Sequence, residues 1–89
     1  MKAVISVTGR DSMGIIAKVS ATCAEHKANI VDISQSVLSE YFAMIMIVNF
    51  SSATTELSSL AEECAALGKQ IGMSIYVQHE DIFNAMHNV

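Results

Sequence analysis

Residues 2–8 alternate, with Ala3, Ile5 and Val7 on one side and Val4, Ser6 and Thr8 on the other. A two-residue period of this kind predicts a half-buried strand. From Ser12 the period lengthens: Ile16, Val19, Cys23 and His26 recur at helical steps, which predicts a helix running to about Lys27. Ala28 and Asn29 make a short connection, and residues 30–38 alternate again. Val31, Ile33, Gln35 and Val37 share one face there, while Ile30, Asp32, Ser34, Ser36 and Leu38 share the other. This second strand is polar on one side.

Ser39 and Glu40 separate it from residues 41–50, so a tight hairpin is the simplest link. In the third strand Phe42, Met44, Met46, Val48 and Phe50 oppose Ala43, Ile45 and Ile47. A run that is apolar on both faces belongs inside a sheet with both faces covered. After a polar loop over residues 51–55, Leu57, Leu60, Cys64, Leu67 and Ile71 mark a second helix. Its acids, Glu56, Glu62 and Glu63, fall in the first half and Lys69 near the end, in agreement with the helix dipole. Gly72 is a suitable stop. A fourth strand over residues 73–79 sets Met73, Ile75 and Val77 against Ser74, Tyr76 and Gln78. Asp81 then caps a short tail helix that carries Ile82, Phe83 and Met86.

The predicted order, β-α-β-β-α-β plus a tail helix, is the ferredoxin-like α+β two-layer sandwich, here one domain over residues 1–89. Both helices cover one sheet face in this fold. The apolar residues of the third strand on the opposite face, together with the tail, lead to the expectation of a two-fold homodimer.

The candidate chemistry gathers where the first strand gives way to the first helix, at Gly9-Arg10-Asp11-Ser12-Met13-Gly14-Ile15. The glycines permit positive φ or a close approach, and Asp11 and Ser12 are suited to cap a helix start. Such a start carries partial positive charge and suits a carboxylate or phosphate. Asp11 can serve as cap and as partner of a ligand ammonium group at once, since a carboxylate has two oxygens. Asn29 reads either as a turn residue or as a ligand contact, and Arg10 as a solvated loop charge or as the partner of a carboxylate.

Composition narrows the function classes. The chain has 89 residues, no proline and 52% hydrophobic residues, which describes a compact core with short turns. Five basic residues against nine acidic ones give a net charge of -4, so neither nucleic acid nor an anionic membrane surface is expected as a partner. No apolar run approaches the roughly 20 residues that span a bilayer, and no signal peptide is evident. The expected location is the cytoplasm. Cys23 and Cys64 read as buried free thiols, and Met44, Met46 and Met73 as core or interface filler. His26, His79 and His87 share no metal-ligand spacing, so no metal or cofactor is expected, and no nucleophile sits beside a base as an enzyme would need.

Other ferredoxin-like functions fit poorly. A metal chaperone needs cysteines in the first loop, and this loop has none. An RNA-recognition module needs a basic face around its strand aromatics, whereas Phe42 and Phe50 sit in an acidic chain. A small phosphatase of the acylphosphatase kind would use an arginine, but the glycine-rich loop leading to a helical arginine is missing around Arg10.

Over nearly its whole length the chain resembles an ACT domain. Asp11-Ser12-Met13-Gly14-Ile15-Ile16 is similar to the D-R-P-G-L-L type of ACT loop, and Ala28-Asn29-Ile30-Val31-Asp32 to the start of the second strand. The resemblance is to bacterial stand-alone single-ACT proteins, and more distantly to glycine-cleavage regulators and the front domain of formyltetrahydrofolate deformylase. It implies a regulatory protein that binds an amino acid or related metabolite at a homodimer interface and modulates a protein partner. It also implies that Asp11 and Asn29 contact the ligand, within a site of Gly9, Arg10, Asp11, Ser12, Met13, Gly14, Ile15, Asn29 and Ile30. Two positions depart from the pattern. The histidine of serine-binding relatives is Gly9 here, and the usual Arg-Pro pair is Ser12-Met13. The alternative is an interaction module with no small-molecule ligand.

Overall fold

A computed structural model describes residues 1–10, 12–50 and 55–86. Its elements are β1 (Lys2–Arg10), α1 (Ile15–Glu25), β2 (Ala28–Leu38), β3 (Tyr41–Phe50), α2 (Thr55–Ile71), β4 (Met73–His79) and α3 (Glu80–Met86). The four strands form one antiparallel sheet in the order β2-β3-β1-β4, so the two most apolar strands lie inside it. This is the expected ferredoxin-like sandwich with a short C-terminal helix.

The core lies between the sheet and helices α1 and α2. Ala3, Ile5 and Val7 of β1 and Phe42, Met44, Met46, Val48 and Phe50 of β3 are all buried there. From α1 the core takes Ile15, Val19 and Cys23, and from α2 Leu60 and Cys64. The described α2 residues follow the expected apolar pattern, with Leu57, Leu67 and Ile71 partly buried against the same cluster. Gly72 ends the helix with φ +72°. Gly68 is needed for contact rather than for φ: a Cβ there would lie 2.5 Å from the Met73 carbonyl oxygen.

Three details differ from the expectation. Helix α1 begins at Ile15 rather than Ser12, because Met13 and Gly14 form a turn and Gly14 takes the N-cap position with φ +79°. The later start turns Ile15 into the core, with Val19, Thr22 and Cys23, and leaves Ile16 37% exposed. At its other end α1 stops at Glu25, and His26 is the C-cap residue rather than part of the apolar stripe. Its Nε2 lies 3.2 Å from Glu63 Oε2, tying that end to α2.

The second difference is a bulge in β2. Register shifts between Ile30 and Asp32, so Val31 is the extra residue. Ile30 then lies opposite Val48 and Ile33 opposite Met46, which puts both on the helix side of the sheet instead of on opposite faces. The third difference is that β3 is covered on one face only: Ala43 and Ile45 are exposed on the other. Helix α3 packs against β1 and β4 there. Val4 is only 4% exposed although it points away from α1 and α2, as expected beneath such a helix.

Candidate functional site

A cleft of about 280 Å³ opens beside the start of α1. Ser12, Gly14, Ile15, Ile16 and Ala17 form one wall, and Gln35, Val37 and Phe42 from β2 and β3 form the other. Local sequence explains the first wall. Only a residue that tolerates a left-handed backbone turns the chain from the loop into the helix at Gly14, and glycine does so without strain. Gly14 has no side chain to cap the helix, so it leaves the first-turn amides uncapped at that position. Backbone N–H groups at a helix start attract anions. Lys18 adds a full charge nearby: its Cε is 3.9 Å from where a Cβ on Gly14 would stand. A ligand carboxylate suits this end of the cleft, and Ile15, Ile16, Val37 and Phe42 suit an apolar body.

The sequence-predicted residues divide between this cleft and other places. Ser12, Gly14 and Ile15 line it. Met13 is almost fully exposed beside them. Gly9 ends the helix-side row of β1, where a Cβ would meet Met73 Sδ at 2.7 Å and the Gly72 carbonyl at 3.2 Å, so this glycine is fixed by packing. Arg10 pairs with Tyr41 on the opposite sheet face. Asp11 lies outside the described residues, and with it the expectations that it caps the helix and holds a ligand. Asn29 and Ile30 are at the other end of the sheet. Gly9 is level with Phe42, whereas Asn29 is level with Asn49, seven residues further along β3 and about 24 Å away. Within one chain they cannot share a small ligand with the loop.

The cleft also holds residues that sequence reasoning missed, namely Ile16, Ala17, Gln35, Val37 and Phe42, with Lys18 close to Gly14 beside it. Lys18 was visible in principle, one helical turn after Gly14. Gln35 and Val37 were not, because only strand pairing brings residue 35 beside residue 14.

Other candidate chemistry is quiet. Cys23 and Cys64 are buried and free. Burial pushes the Cys23 thiol up to about 11. Burial first, then Cys23 and Glu63, pushes Cys64 up to about 12. Both are therefore protonated and unreactive at neutral pH. Among the described residues no group of three His, Cys, Asp or Glu side chains could hold a metal, and no helix is long and apolar enough to cross a membrane.

Comparison with known proteins adds the family. The model of the ACT domain family matches residues 2–78. Over 88 residues the chain is 48% identical to a UPF0237 protein of Methanopyrus kandleri, covering 99% of this chain and 98% of that one. A solved ACT domain protein from Streptococcus pneumoniae superposes with a TM-score of 0.83 at 42% identity, over 98% of both chains. Formyltetrahydrofolate deformylase of Burkholderia mallei gives 0.76 at 14% identity, over 89% of this chain and 28% of that one. A structure described as a glycine cleavage system transcriptional repressor gives 0.77 at 19% identity, over 89% and 47%. At such identities the last two share the fold. With its full run of elements matched and close relatives of equal length, the chain belongs to the ACT domain family, whose members are generally regulatory ligand-binding modules.

Proposed function

We propose that this ACT protein binds an amino acid or a closely related metabolite in the cleft between the start of α1 and strand β2, and that occupancy is passed to a protein partner through a homodimer. The observation that carries this reading is the cleft itself: left-handed Gly14 and Lys18 offer positive potential at one end, and apolar side chains line the rest.

A second copy completes the site. Strand β2 is a sheet edge, and Val37 and Leu38 on it are 54% and 75% exposed. An unpaired edge with exposed apolar residues is a template for another strand. An antiparallel seam between two β2 strands, centred near Ser34, brings Asn29 and Ile30 of one copy beside Val37 and Leu38 of the other, next to its first loop. That arrangement supplies the asparagine that a single chain holds about 24 Å away. Regulation then follows from linkage: a ligand that bridges two copies favours one dimer geometry, and only that difference in affinity does work on a partner.

Calorimetric titration of the common amino acids against the full-length protein tests the reading. A binder is expected whose affinity falls at least tenfold in Gly14→Val and in Lys18→Glu. A binder unaffected by both variants, or none at millimolar concentration, refutes it, and the second result favours a module that docks on protein alone.

A further inference from the structure

The open face of the sheet holds a second cavity, of about 400 Å³, which shares only Gln35 of the edge strand β2 with the α1 cleft. Its floor is ordered by strand register. Ser36, Ala43 and Thr8 form one row across β2, β3 and β1, and Ser34, Ile45 and Ser6 form the next. Each row sets an apolar residue between two hydroxyls. Phe83 of α3 closes one side, and no ionisable side chain lines the cavity among the described residues.

We propose that this cavity binds a small, flat, uncharged heteroaromatic molecule with hydrogen-bonding groups on opposite edges. Three features select that class. A charged ligand would leave water without gaining an ion pair among the lining residues, which is costly. The outer hydroxyls of a row stand two strand spacings apart, about 9.6 Å, and two hydrogen bonds of about 2.8 Å leave roughly 4–6 Å between the ligand's polar atoms. That is the width of one six-membered ring or a fused pair. Hydroxyls donate and accept, so they suit the mixed edge of a heterocycle. The strip of Ala43 and Ile45 and the ring of Phe83 offer apolar surface to its faces.

The site differs from the α1 cleft in place, charge and ligand, so either can fail without the other. Amide-resolved NMR titration of the full-length protein with adenine tests it, with glucose as a hydroxyl-rich but non-planar control. Adenine is expected to shift the amides of Ser6, Thr8, Ser36 and Ala43 and to leave those of Ile16 and Ala17 in place. Ala43→Leu, which fills the floor at an exposed position, should weaken binding at least tenfold, and Phe83→Ala severalfold. Should one variant fold poorly, the other gives the result. No shift with adenine, equal shifts with glucose, or binding unchanged in both variants overturns the proposal. So does a sedimentation result in which Ala43→Arg converts a dimer to a monomer, because the face would then be covered by a second copy.

Discussion

At the scale of single residues, Gly9 and Gly68 are held by crowding, whereas at Gly14 backbone conformation decides. Gly14 has φ +79° and ample room for a Cβ, so substitution there costs energy through the backbone alone. Alanine in that conformation is expected to cost about 1–2 kcal/mol. Asparagine, which tolerates it better, should cost less, and thermal unfolding of Gly14→Ala and Gly14→Asn should preserve that order. Lys27 poses the reverse case. It follows the C-cap of α1 with φ +57°, where glycine is the favoured residue. Lys27→Gly should therefore gain about 1 kcal/mol, seen as a rise in Tm of roughly 4–8 °C. The cysteines set a pH dependence. Their folded pKa values, about 11 and about 12, exceed that of an exposed thiol near 8.5, so the unfolded chain ionises first. Stability from these thiols is whole below about pH 8.5 and is lost as pH rises toward 11–12, by up to about 1.4 kcal/mol per pH unit for each. A Cys23→Ala, Cys64→Ala double variant should show a flatter fall in denaturant midpoint across that window.

At the scale of elements, β2 is the strand whose role changed most between sequence and structure. Its alternation from Ile33 to Val37 was legible, and the register with Met46, Met44 and Phe42 follows from it. The bulge at Val31 was not legible, because an extra residue leaves no mark in a pattern until the partner strand fixes the register. Although α1 packs beside β2, Ile33 and Val37 stay exposed there as an apolar edge. If that edge joins two copies, Val37→Lys should convert a sedimenting dimer to a folded monomer and abolish amino-acid binding together with it. A dimer that persists would place the seam elsewhere. Helix α3 is held differently. It has no buried residue, and its contacts include a hydrogen bond from the Asp81 amide to His79 Nδ1 at 3.0 Å and one from Gln78 Nε2 to Met86 Sδ at 3.1 Å. His79 caps this helix with its side chain, whereas the sequence pointed to Asp81.

At the scale of the whole molecule, ligand binding and stability are one measurement. A ligand that binds only the folded dimer stabilises it by about 2.7 kcal/mol at a hundred times its dissociation constant, so the proposed amino acid should raise Tm with the logarithm of its concentration over that constant. The same increase should fall to about half or less in Lys18→Glu, where affinity is at least tenfold weaker. The order of elements, the periods of β1, β3 and β4, the hairpin at Ser39 and Glu40 and the stop at Gly72 were all determined by the sequence, because each depends on residues within a few positions of one another. What the tertiary structure alone decided is which faces meet. Pairing put Gln35 and Val37 across from Gly14, sent Arg10 to the opposite face, and left Asn29 at the far end of the sheet. Local pattern says which way a side chain points along its own element. It carries no information about how far one element has travelled before it passes another, and that distance decides which residues can share a ligand.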